Sequence, residues 1–108
     1  MSAPFVSQIR TRGDAIQLAP AGAPAMTLRV EMPEVWDTVR IVASPDQTVA
    51  AVKRAALDAL NPNGEPADAF VMKLRGFEVL DENATLASVG AVDGSIFLLT
   101  YRRRRPVR

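Results

Sequence analysis

The side chains that could do chemistry are few in kind. The 108 residues include no histidine and no cysteine. The usual general base and zinc ligand are therefore missing, as are thiolate nucleophiles, disulfides and iron–sulfur ligation. Carboxylates, lysines and hydroxyls remain. Asp37, Asp46, Asp58, Asp68, Asp81, Glu82 and Asp93 fall at turn, cap and helix-surface positions, and no pair has a spacing that implies a metal or acid/base site. Capping and solvation account for them. These residues predict a protein that is not an enzyme and holds no cofactor or metal.

Two features remain. Trp36 falls in a turn between two alternating segments, where a large ring has little core to enter. It either presents itself to a partner, as tryptophans at binding hot spots do, or folds back on the sheet edge or on the N-terminal arm. Phe77, just after Gly76, is a weaker case of the same kind. The second feature is the run "RRRRPVR", with Arg102, Arg103, Arg104, Arg105 and Arg108. Residues 102–108 hold five of the 13 basic residues and no acid, whereas residues 26–101 carry six basic and eleven acidic residues, a net of −5. An acidic body with a basic tail is a poor nucleic-acid surface by its body. The tail is expected to give weak anionic contact, with nucleic acid or lipid, to meet an acidic partner, to fold back on the acidic body, or to act as a solubilising tail.

The chain elements that must carry these residues can be read from periodicity. Residues 1–25 read as an extension and linker. "APAGAPA" is proline-punctuated, and the scattered apolar residues before it allow a weak hairpin turning at Gly13 and Asp14, a loosely docked arm, or disorder. Arg12-Gly13-Asp14 reads as a turn. In "TLRVEM", Leu28, Val30 and Met32 alternate with polar residues, and in "TVRIVA" Val39, Ile41 and Ala43 do so, giving a hairpin. Val49, Val52, Ala56 and Leu60 then follow helical spacing. Thr48 or Ser44 is the N-cap, and Pro62 with Gly64 ends the helix. Phe70, Met72 and Leu74 mark a third strand, "FEVLDEN" a short strand and turn, "ATLASVG" one helical turn, and "SIFLLTY" the last strand. The order β-β-α-β-β-β, with a single main helix on a mixed sheet, is an α+β two-layer solution. Leu28, Val30, Val39, Ile41, Val49, Val52, Leu60, Phe70, Met72, Leu74, Leu80, Leu86, Phe97 and Leu99 are the expected core.

This order and its turns resemble the β-grasp fold of the ubiquitin-like superfamily over residues 26–101. The motifs are "SPDQTVAAVK", "GEPAD", Gly76 and "LDENATL"; the "SVGAVDGSIFLL" segment looks most like bacterial YukD/EsaB-type members. The resemblance implies a small cytoplasmic protein-interaction or assembly module, with protein partners and an accessory role in a type VII-like secretion system. The absence of a basic start, an apolar leader or an 18-residue apolar run agrees with that expectation. Ubiquitin-type modifiers end in Gly-Gly, which threads a narrow channel because it lacks Cβ. Here Pro106 and the arginines stand instead, so a modifier in a bacterial conjugation system would need its tail processed. A small structural subunit of a multicomponent oxygenase and a nucleic-acid-binding accessory are further readings. By the same resemblance, the partner surface lies on the sheet face away from the helix, with Lys73 at its centre and Val71, Leu98 and Thr100 alongside; Trp36 and the tail complete the expected docking residues.

Overall fold

A computed structural model describes residues 15–102. The alternating segments form strands as expected. β2 (Met26–Met32) and β3 (Asp37–Ala43) make an antiparallel hairpin, with Leu28 opposite Ile41 and Val30 opposite Val39. The period of two puts those four side chains on one face, and all are essentially inaccessible to solvent. β4 (Phe70–Leu74), β5 (Phe77–Glu78) and β6 (Ile96–Tyr101) complete the expected set.

One strand lies within the segment read as an extension. β1 (Ala15–Gln17) runs parallel to β3, with Ile16 opposite Ile41. Ile16 and Leu18 pack against the core. The sequence reading begins the domain at Met26, but Ala15–Gln17 belong to its sheet, so the extension read over residues 1–25 contains an edge strand. Three residues offer too short an alternation to be read as a strand without the neighbouring edge that pairs with them. The turn expected at Gly13 and Asp14 lies outside the described residues.

The sheet order is β1-β3-β2-β6-β4-β5. β2 pairs β6 in parallel, and β4 pairs both β6 and β5 antiparallel, so the sheet is mixed. Helix α1 (Val49–Leu60) lies across one face. Its Val49, Val52, Ala56 and Leu57 join Leu28, Val30, Met32, Val39, Ile41, Phe70, Met72, Leu74, Leu86, Phe97 and Leu99 in one core. This is the expected β-grasp arrangement.

Of the two N-cap candidates, Thr48 is the cap and Ser44 is not. Thr48 caps α1, its Oγ1 accepting the Ala51 N–H at 3.1 Å. Ser44 opens the preceding turn, where its N–H donates to Gln47 Oε1 at 2.9 Å. The first helical N–H groups, which have no partner within the helix, donate to the loop after β5: Val49 to the Ala84 carbonyl and Ala50 to that of Glu82. Beneath that loop the Lys53 ammonium, 3% exposed, donates to both Glu82 carboxylate oxygens at 2.9 and 3.0 Å.

Leu80 corrects the expected core, because it is 87% exposed and Val79 takes the inward place. The reason is register. The Val79 N–H donates to the Met72 carbonyl at 2.8 Å. That pairing turns Val79 towards the core, and the alternation then sends Leu80 outwards. Leu60 is only partly buried, at the end of the helix. The β4–β5 connection is a two-residue turn in which Arg75 (φ 54°) and Gly76 (φ 85°) are both left-handed, the conformation that matches the twist of paired strands.

Candidate functional site

Among the described residues, the face of the sheet opposite α1 carries no covering element. Its side chains come from the alternate positions of β2, β6 and β4, and strand register fixes their neighbours. Lys73 on β4 lies between Leu98 on β6 and Glu78 on β5, and Val71 lies opposite Thr100. On the other side Leu98 adjoins Glu31, and Ile96 adjoins Arg29. Four of the expected docking residues, Val71, Lys73, Leu98 and Thr100, are thus brought together on two adjacent antiparallel strands. Leu98 is flanked by a lysine and a glutamate, so the apolar area at its centre is narrow. Ile96, 47% exposed, extends that area along β6 and is a residue the sequence reading missed. Its signal was present: Ile96 shares the outward parity of Leu98.

Val71 departs from its expected place at the surface. It is only 4% exposed although it does not belong to the main core. It lines a hollow of about 400 Å³ together with Lys73, Glu78, Thr100, Tyr101 and Arg102. Most of these side chains are longer than valine, so it sits low among them and offers a partner little surface.

Trp36 is not on this face but at the end of the sheet. A 3₁₀ turn, Pro33–Val35, follows β2, and the Trp36 N–H closes it on the Pro33 carbonyl at 3.1 Å. Trp36 itself is left-handed, with φ 58° and ψ 40°, and is 92% exposed. It does not fold back on the sheet edge, and residues 1–14 of the N-terminal arm lie outside the described residues. A bulky residue there is strained, because its Cβ crowds the following carbonyl. Phe77, at 78% exposure, is likewise uncovered.

The Trp36 loop is tied to the end of β6. Glu34 Oε2 accepts the Thr100 hydroxyl at 2.7 Å and the Tyr101 N–H at 3.3 Å. Partial burial pulls the Glu34 carboxyl upward. The hydrogen bond from Thr100, with those from the backbone at Glu34 and Tyr101, outweighs it and holds the group below its ordinary value. Tyr101 stacks on Phe70 with ring centroids 4.7 Å apart and donates its hydroxyl to Glu65 at 3.1 Å. That carboxylate retains the phenolic proton and raises the Tyr101 pKa. Arg102 extends the strand. Its N–H donates to the Ala69 carbonyl at 2.7 Å, its Nε to the Asp68 carbonyl at 3.0 Å, and its guanidinium lies 3.9 Å from Glu78. Arg103, Arg104, Arg105 and Arg108 lie outside the described residues.

Among the described residues, no group of three or more acidic side chains converges in a way that could hold a metal ion, and no helix is long and apolar enough to cross a membrane.

The fold this architecture defines is the ubiquitin-like β-grasp. The solution structure of the ubiquitin-like domain of an Arabidopsis thaliana protein superposes with a TM-score of 0.64 at 14% identity, covering 89% of this chain and 97% of that one. The ubiquitin of Caldiarchaeum subterraneum gives 0.62 at 22% identity over 76% and 99%. The C-terminal ubiquitin-like domain of mouse tubulin-specific chaperone e gives 0.63 at 14% over 83% and 99%. At these identities the likeness concerns the fold. A search of the curated proteins finds no match. The model of the family described as "Protein of Unknown function (DUF2604)" matches residues 24–102, and the chain belongs to that family.

Proposed function

We propose that this chain is a non-catalytic protein-interaction module that docks through the open sheet face, with Lys73, Leu98 and Thr100 in contact with the partner and Ile96 extending the apolar strip. The observation that carries the reading is the uncovered face itself. One side of the sheet is closed by α1, while the other leaves Ile96 and Leu98 partly exposed between charged neighbours. Such a mixture, a small apolar centre within a polar rim, is how non-obligate interfaces are built. Ubiquitin-like domains commonly serve as interaction modules, and that general habit supports the same reading; because one fold hosts many functions, the docking residues are argued from this face.

The finer reading is a bacterial accessory of a type VII-like secretion system, supported by the resemblance of "SVGAVDGSIFLL" to YukD/EsaB-type sequences. Immobilised full-length protein and its Leu98→Glu variant, challenged with an extract containing such a secretion apparatus, test both levels. The module reading predicts a captured component that is lost with Leu98→Glu and kept with the helix-surface control Asp58→Lys. Capture indifferent to Leu98 contradicts the docking face. Capture that depends on Leu98 but contains no secretion component contradicts only the finer reading.

A further inference from the structure

We infer that the outer edge of β5 is a self-association site, where a second copy of this chain pairs antiparallel about a two-fold axis at Glu78. β5 ends one side of the sheet, and among the described residues nothing pairs its outer edge. The ladder fixes which backbone groups that edge offers. The Val79 N–H donates to the Met72 carbonyl, and the next pair along is Lys73 with Glu78. Antiparallel ladders alternate, so the Glu78 N–H and C=O turn away from β4. An uncovered edge of this kind is a template for another strand. In a two-fold pair centred on Glu78, that residue of each copy exchanges both bonds with its mate. This is the self-complementary pattern that a symmetric dimer requires.

The side chains fit the same axis. It sets Phe77 of one copy against Val79 of the other, and Arg75 against Asp81. Phe77 and Leu80 are exposed, and beside them lies a hollow of about 330 Å³ with Leu74, Val79, Ala84 and Val89 in its wall. A projecting ring and an apolar hollow on one patch complement each other when the patch meets its own image. The charges do likewise. Arg75 and Asp81 are both exposed and lie three residues either side of the axis, so the two-fold brings opposite signs together twice. Arg75 donates to the Gly90 carbonyl at 3.4 Å and Asp81 accepts the Asn83 N–H at 3.1 Å, yet each keeps further hydrogen-bonding capacity. A foreign strand would meet the same backbone groups, but a second copy matches Arg75 and Asp81 by symmetry. The one unfavourable meeting is Glu78 with Glu78 at the axis. Lys73 stands opposite each of these carboxylates in the sheet, and the Arg102 guanidinium lies 3.9 Å away. Ile96 and Leu98, on β6 two strands inward, stay uncovered, so this site is separate from the open face.

Sedimentation equilibrium of the purified full-length chain over a wide concentration range tests this. The expected result is a concentration-dependent dimer that Phe77→Ser weakens by about 30-fold or more, since two rings leave each interface. Arg75→Glu and Asp81→Arg should each weaken it by roughly tenfold, and the double change should restore it. Glu78→Gln should tighten the dimer, because it removes the like-charge meeting. The Glu78 amide should gain protection from hydrogen exchange as the dimer fills. Leu98→Glu should leave the dimer unchanged, which separates this site from the open face in the same measurement. A monomer at every concentration, a dimer indifferent to Phe77, charge reversals that do not rescue each other, or a dimer lost with Leu98→Glu would each overturn the assignment.

Discussion

Trp36 and Lys53 show what single residues contribute. Trp36 occupies a left-handed position without burial, so Trp36→Gly should raise stability by about 1 kcal/mol, read as a higher urea midpoint at unchanged slope. A loss of stability would show that the indole packs on the chain after all. Lys53 is the opposite case, a charge buried and held by Glu82 at two short distances. Removing one partner leaves the other uncompensated, and Glu82→Leu should cost about 3 kcal/mol. The double change Lys53→Met with Glu82→Leu should recover much of that loss in the same urea series. Only part of this was legible beforehand. The alternation around Leu28, Val39 and Phe97 announces which side chains enter the core. Nothing in the string distinguishes Val79 from Leu80, because their order is settled by one hydrogen bond to the Met72 carbonyl.

At the scale of elements, the telling contacts join segments distant in sequence. The loop after β5 supplies carbonyls to the N-terminus of α1, and Glu34 holds the β2–β3 loop to the end of β6. The Thr48 cap is a local signal and was readable; Thr48→Ala should cost about 1 kcal/mol by denaturant titration. The Glu34 tie was not readable, since a glutamate in a turn reads as solvated until the parallel register of β6 is known. Its pH dependence has a definite sign. The folded-state pKa lies below the ordinary value of 4.5, so the contribution is complete above that pH. It is lost as pH falls through the lower, folded-state value. Amide resonances of residues 34–36 and Thr100–Arg102 should therefore shift together on acidification below 4.5, and Glu34→Gln should abolish that step. β1 was legible only as one arm of an allowed hairpin for a related reason: its strand character comes from the edge of β3.

At the scale of the whole molecule, one face of the sheet is closed by a helix and the other stays open among the described residues. The fold class and the parity of the open face were legible because strand and helix periods are written in the order of apolar residues. The crowding that submerges Val71 was not, since it depends on neighbours brought together by register. The central claim is that the open face, and not the helix side, meets a partner protein. A photo-crosslinking amino acid placed at Leu98, and separately at Asp58 on the exposed side of α1, tests it in cells producing the full-length chain at its natural level. The account predicts a discrete adduct from position 98 that Lys73→Glu removes, and none from position 58. Adducts from position 58 alone, or identical adducts from both positions, would contradict it.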